Sequence, residues 1–108
     1  MSRVYNLNAQ ELKNSLDSNE NILLVDCREL PEWQSEHIKG AQHIPMSTFA
    51  NNYHPILTDK TQKIVVQCRS GGRSYQVAMF LASQGFTNIH NLEGGILEWI
   101  NQEFPVEK

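Results

Sequence analysis

Two short apolar runs constrain the fold of this chain more than any other feature. They are NILLVDC (residues 21–27) and KIVVQC (residues 63–68), and each ends in a cysteine. Short, continuous apolar runs are typical of parallel strands that are buried on both faces. Each run is followed by a polar segment and then by a helical pattern. This alternation predicts a mostly parallel sheet that is covered by helices on both faces.

The rest of the sequence supplies the other elements of such a sheet. VYNL (residues 4–7) predicts a strand, and Asn8 with Glu11 three residues later forms a capping-box pattern that predicts the start of a helix. The later elements that we expect are a strand at 42–44, a short helix at 46–53, a helix at 74–84, a strand at 86–92 and a helix at 95–102. The C-terminal segment QEFPVEK is expected to be solvated surface.

The size and charge of the chain exclude several classes of protein. Its 108 residues suffice for one compact domain, so residues 1–108 are expected to fold as a single domain. A net charge of -3 provides no basic surface for nucleic acid, and we find no apolar stretch of the kind that spans a membrane or directs secretion. Two cysteines far apart in sequence form neither a disulfide framework nor a zinc motif. A cytoplasmic protein with free thiols is therefore expected.

The loop after the second strand, CRSGGRS (residues 68–74), has the features of a reactive-cysteine site. Ligand sites in such sheets lie beyond the carboxyl ends of the strands, and Cys68 occupies that position. A cysteine attacks as its thiolate, so its pKa must be lowered. Three features are expected to lower it: the N-terminus of the following helix, loop amides that Gly71 and Gly72 allow to turn inward, and the charges of Arg69 and Arg73.

The same loop is suited to bind an incoming anion. We expect the loop amides and cationic side chains to hold its oxygens, with Ser74 either capping the helix or donating one further hydrogen bond. The expected substrate-binding residues are Arg69, Ser70, Gly71, Gly72, Arg73 and Ser74. The alternative is that Cys68 is an inert, buried cysteine followed by an ordinary turn. We favour the reactive site, because arginine, serine and glycine crowded between a strand and a helix make a poor inert turn.

Three segments of the chain resemble the signatures of the rhodanese family of sulfurtransferases, in the right order. VDCRELPEWQSEHIKGAQHIP (residues 25–45) is similar to its N-terminal signature, CRSGGRS to its active-site loop and NLEGGILEW (residues 91–99) to its C-terminal signature. One departure is Glu36, where family members often have glycine. The resemblance implies an α/β, rhodanese-like fold with a central, mostly parallel five-stranded sheet that is flanked by helices on both faces.

The resemblance also implies a mechanism. The Cys68 thiolate would attack the outer sulfur of a donor such as thiosulfate, release sulfite and retain a persulfide. Cyanide, a thiol or the cysteine of another protein would then accept that sulfur. No metal or organic cofactor is implied. The expected partners are this small anionic donor and its acceptor, with a protein donor or acceptor as a further possibility, and we expect a monomer.

Residues near Cys68 have two interpretations each. Asp26 and Arg28 would support the loop or the donor, or would form a structural ion pair, and we favour the ion pair. Cys27 would be a resolving thiol for Cys68, or a small core residue on the sheet face opposite Asp26, and we favour the core residue. His37 is expected to be structural.

Two other functions use a similar loop. Protein tyrosine phosphatases and arsenate reductases are the enzymatic rivals, but phosphatases use Cys-x5-Arg, whereas four residues separate Cys68 from Arg73. We therefore expect negligible phosphatase activity. A sulfur-carrier or binding module that acts with protein partners requires the same loop as the enzyme, so the sequence leaves that alternative open.

Overall fold

In a computed structural model that describes residues 3–108, a five-stranded sheet alternates with helices along the chain. The elements are β1 (Val4–Leu7), α1 (Ala9–Asp17), β2 (Ile22–Asp26), α2 (Leu30–Ser35), β3 (Gln42–His43), a 3-10 turn (Met46–Thr48), α3 (Phe49–Asn52), β4 (Lys63–Gln67), α4 (Gly72–Ser83), β5 (Ile89–Leu92) and α5 (Gly95–Asn101). The strand order is β1-β5-β4-β2-β3, and every pairing is parallel. The predicted α/β fold is confirmed.

Each face of the sheet is covered by its own apolar cluster. Alternate residues of β4 point to opposite sides, so Val66 packs in one cluster with Leu81 of α4, and Val65 packs in the other with Leu12 of α1 and Trp99 of α5. All five of these side chains are almost completely buried. Burial of one such side chain contributes about 1.5–3 kcal/mol, so the sheet is stabilised from both sides.

The capping box that the sequence predicted at the start of α1 is present. The Asn8 side chain accepts a hydrogen bond from the Glu11 amide at 2.8 Å, and the Glu11 carboxylate accepts one from the Asn8 amide at 2.9 Å. These two bonds satisfy amide groups that have no partner within the helix.

Two predicted boundaries are wrong by two residues or more. Helix α4 begins at Gly72, two residues before the expected start, because Gly71 adopts a positive φ of 110° and itself precedes the first helical turn. Strand β5 begins at Ile89 and not at residue 86, because the Phe86 amide still donates to the Leu81 carbonyl at the end of α4. Phe86 therefore belongs to the end of α4, and Ile89 is the first residue of β5.

The C-terminal segment lies on the surface, as expected, with every residue of 102–108 except Phe104 exposed, and hydrogen bonds hold it against the body of the protein. The amides of His37 and Glu107 each donate to the other's carbonyl oxygen, at 2.8 and 2.7 Å. The Trp99 indole N–H donates to the Pro105 carbonyl at 2.8 Å, and the Phe104 ring packs edge-on against Trp99. Among the described residues, no helix has the length and apolar character needed to cross a membrane.

The sheet places the two central strand ends at one edge. Strands β2 and β4 are neighbours in register, with Asp26 opposite Gln67, so the residues that follow them meet beyond that edge. Helix α5 begins at the same edge, where its first residue, Gly95, passes against the loop after β4. An added Cβ at Gly95 would lie 2.5 Å from the Cys68 carbonyl oxygen, and φ at this residue is +57°. Glycine is therefore required by both contact and conformation.

We predict that Gly95→Ala destabilises the fold by more than about 2 kcal/mol, because the left-handed conformation alone costs about 1–2 kcal/mol and the backbone contact adds to it. The measurement is the free energy of unfolding in urea. Gly72→Ala is the matched control, since Gly72 lies in a helix and a Cβ there meets open space. Equal stabilities of the two variants would contradict the close approach of α5 to the loop.

Candidate active site

Cys68 lies directly after β4, and the loop that follows it covers the sulfur. The residue is 1% exposed, whereas Arg69 and Ser70 beside it are exposed to solvent. The Sγ atom accepts hydrogen bonds from the backbone amides of Gly71 at 3.2 Å and Ser74 at 3.4 Å. The loop amides thus turn inward toward the sulfur, in the arrangement that stabilises an anion.

Several donors lower the pKa of the Cys68 thiol well below its ordinary value. The largest contribution comes from the Cys27 thiol, and the backbone amides of Ser74 and Gly71 add to it, while burial opposes the shift. These donors stabilise the thiolate in preference to the thiol. A sulfur in this setting is ionised under conditions in which a free cysteine is protonated.

Only one of the two loop glycines has the backbone conformation that the sequence suggested for both. Gly71 has φ 110° and is packed against the backbone of Leu92 and Gly94. Gly72 instead begins α4, and an added Cβ there would meet no atom within 4 Å. The inward turn of the amides therefore depends on Gly71.

The N-terminus of α5 binds the carbonyl side of the same loop. The Ile96 amide donates to the Cys68 carbonyl at 2.9 Å, and the Leu97 amide donates to the Arg69 carbonyl at 3.1 Å. These bonds fix the orientation of the first loop peptides. The glycine pair in NLEGG contributes to the site in this way, through the backbone.

Asn91 is a site residue that the sequence reasoning missed. It lies in β5, is buried, and its amide nitrogen donates to the Gly71 carbonyl at 3.2 Å. The Ser74 hydroxyl donates to its side-chain oxygen, so Ser74 acts inside α4 and not as the residue that caps it. The available signal was a polar residue near the carboxyl end of a predicted strand, where ligand sites of parallel sheets lie.

The two arginines of the loop have different surroundings. Arg73 forms a bidentate ion pair with Glu32 of α2, at 2.7 and 2.9 Å, and this pairing lowers the pKa of Glu32 to about 2. The positive charge of Arg73 is therefore paired with Glu32, a residue that the sequence did not identify as part of the site. Arg69 is exposed and lines a cavity of about 320 Å³ together with Arg28 and Leu97.

Asp26 and Arg28 form a buried ion pair beneath this cavity. The Arg28 guanidinium donates to both carboxylate oxygens of Asp26, at 2.8–3.1 Å, and the two residues are 3% and 0% exposed. Arg28 also donates to the carbonyl of Glu36, whose extended backbone (φ -165°) does not require glycine. This geometry favours the structural interpretation of the pair. His37 stacks on Trp33, and its Nδ1 atom lies 2.9 Å from the Trp33 carbonyl oxygen.

Cys27 follows β2 at the position next to Cys68 and is buried, whereas the sequence left open whether it would be a resolving thiol or a core residue. Both residues belong to the apolar cluster that contains Leu81 of α4, on the face opposite to that of Leu24 and, by alternation along β2, of Asp26. The pKa of the Cys27 thiol is raised, first by its hydrogen bond with Cys68 and then by burial. Cys27 therefore retains its proton while Cys68 is ionised, and the two sulfurs share one negative charge.

Known proteins resemble this chain over nearly its whole length. The sequence model of the Rhodanese-like domain matches residues 8–102. A protein of Allochromatium vinosum named "Sulfurtransferase" is 34% identical over 95% of this chain and 94% of its own. The "Thiosulfate sulfurtransferase GlpE" of Pseudomonas fluorescens is 33% identical over 79% of this chain and 75% of its own.

Two further relatives extend this comparison. The "Putative sulfur carrier protein YrkF" of Bacillus subtilis is 29% identical over 91% of this chain but only 52% of its own length. The crystal structure of a rhodanese-related protein from Thermoplasma volcanium superposes with a TM-score of 0.84 and 29% identity, covering 95% of this chain and 97% of that one. With the fold and the three sequence signatures in agreement, the chain belongs to the family of Rhodanese-like domains.

Proposed function

We propose that this protein is a sulfurtransferase that carries a sulfane sulfur as a persulfide on Cys68. The observation that carries the proposal is a buried, strand-end thiol whose Sγ accepts two backbone amides. A thiolate held in this way is both a nucleophile and a group whose persulfide charge the same amides stabilise. Relatives that are named sulfurtransferases support the assignment.

The proposed reaction has two halves. The Cys68 thiolate attacks the outer sulfur of thiosulfate or of a persulfide donor, and sulfite or a thiolate leaves with the electron pair of the broken S–S bond. An acceptor such as cyanide or a thiol then attacks the terminal sulfur of the Cys68 persulfide and regenerates the thiolate. This is double-displacement covalent catalysis, which binds the two substrates in turn.

The donor is proposed to bind over the loop. Arg69 is the exposed cation closest in sequence to Cys68, and it lines the cavity between α2 and α5. Arg73 contributes through its ion pair with Glu32, which ties α2 to the start of α4. The remaining proposed binding groups are the backbone and hydroxyl groups of Ser70, Gly71, Gly72 and Ser74.

A sulfur carrier that receives its sulfur from a protein is the second candidate. It is favoured by the similarity to YrkF, which is named a putative sulfur carrier. A carrier needs the same activated thiol but little affinity for thiosulfate. The two roles are therefore distinguished by whether thiosulfate or a persulfide-bearing protein is the better donor. A phosphatase is not favoured, because the guanidinium of Arg73 is bound by Glu32 instead of facing the loop amides.

The proposed function is tested by the kinetics of sulfur transfer from thiosulfate to cyanide. We expect parallel double-reciprocal plots, as a covalent intermediate requires, and a loss of at least about a hundredfold in kcat/KM for Cys68→Ser. A persulfide-bearing protein should replace thiosulfate as the donor if the carrier role applies. Transfer by Cys68→Ser at the wild-type rate would contradict the proposal.

The ionised state of Cys68 predicts a particular pH dependence of alkylation by iodoacetamide. Because the pKa of Cys68 is lowered, its thiolate persists below the ordinary thiol pKa of about 8.5 and is lost only as pH falls through the lowered value. Cys27, whose pKa is raised, should stay unreactive across neutral pH. Peptide mapping after brief alkylation at several pH values measures both rates. Equal rates at the two cysteines would show that the loop does not activate Cys68.

A further inference from the structure

The second cysteine of the chain lies where it can react with the first. The register of β2 and β4 pairs Asp26 with Gln67, so the next residues, Cys27 and Cys68, continue that pairing by one position. The Cys27 amide donates to the Gln67 carbonyl at 3.0 Å, which shows that the pairing persists beyond the strands. Both side chains then enter the same apolar cluster.

The spacing of neighbouring strands places the two Cα atoms within the range that a disulfide spans. Neighbouring strands lie about 4.8 Å apart, and the Cα atoms of a disulfide lie about 4.4–6.8 Å apart. Both side chains pack in the same apolar cluster, so the two sulfurs lie on one face of two neighbouring strands. Both cysteines are reduced in the structure and are buried, at 0% and 1% exposure.

Formation of the persulfide changes the relation between the two sulfurs. While Cys68 is a thiolate, the Cys27 thiol donates a hydrogen bond to it and has no electrophile to attack. Once Cys68 carries a second sulfur, the charge moves to the terminal sulfur and the inner Sγ becomes an electrophile. The neighbouring thiol then lies beside the inner sulfur, which is the atom that a resolving thiol attacks.

We propose that Cys27 resolves the Cys68 persulfide and thereby releases sulfide, an inference that rests on the proposed persulfide function. The bond between Cys27 Sγ and Cys68 Sγ forms as the bond from Cys68 Sγ to the terminal sulfur breaks. The Cys27 proton passes to the negatively charged terminal sulfur, so Cys27 attacks as its thiolate and the terminal sulfur leaves as hydrosulfide. The terminal sulfur is reduced, the two thiols are oxidised to a disulfide, and no other oxidant is needed.

The consequence is a second fate for the sulfur. An acceptor that reaches the loop quickly takes the persulfide sulfur and leaves both cysteines reduced. Without an acceptor, the chain releases sulfide and stops as a Cys27–Cys68 disulfide until a small or protein dithiol reduces it. The pair therefore couples the presence of an acceptor to the activity of the site.

Substitutions at Cys27 separate its two roles. Cys27→Ser keeps an O–H group that can donate to Cys68 but cannot form a disulfide, and Cys27→Ala removes both capacities. The reduced proteins are treated with thiosulfate, free sulfide is measured with time, and the cross-link is sought by peptide mapping without reductant. We expect about one sulfide per wild-type chain with a Cys27–Cys68 cross-link, and release that is at least about tenfold slower in both variants.

The outcomes distinguish this inference from the proposed function. If both Cys27 variants and the wild type hold a persulfide that cyanide removes, but release sulfide at equal rates, the resolving role is overturned and the sulfurtransferase stands. If no protein gains sulfur, the proposed donor fails. In that case, the wild type is oxidised with diamide in the absence of a donor. A Cys27–Cys68 cross-link would support the reactive pair, and its absence would overturn the proposed role of Cys27.

Discussion

The amides at the start of α5 hold the carbonyl oxygens of Cys68 and Arg69, and the geometry of the site depends on this contact. These two bonds fix the first two peptides of the loop beside the start of α5. The chain then continues so that the amides of Gly71 and Ser74, farther along the loop, reach the sulfur. The contact requires glycine at position 95, so a residue far from Cys68 in sequence determines how the thiolate is held.

Short-range hydrogen bonds, more than formal charges, stabilise the thiolate in this arrangement. Arg73 lies near the sulfur, but its guanidinium is paired with Glu32, and Arg69 is exposed, where solvent screens its charge. The Cys27 thiol and the loop amides are buried with Cys68, and interactions in that environment are screened much less. The loop can therefore keep a reactive sulfur within a chain of net negative charge.

The sequence was most informative where a pattern is local. Apolar runs predicted β2 and β4, and the Asn8 capping box predicted the start of α1. The partners of Cys68 were harder to predict, because Cys27, Asn91 and Glu32 reach the loop only through the sheet order and the packing of α2. No spacing in the sequence encodes those contacts. The start of α4 was predicted two residues too late for a related reason. A pair of glycines is typical of a loop, although Gly72 is the first residue of the helix.

The most direct test of the central claim is the intact mass of the protein after a brief, rapidly quenched incubation with thiosulfate. The account predicts that the wild type gains one sulfur atom, that cyanide removes it, and that Cys68→Ala gains none. A sulfur atom retained by the Cys68→Ala protein, or no gain by the wild type from thiosulfate or from a persulfide donor, would contradict the assignment of Cys68 as the residue that carries sulfur.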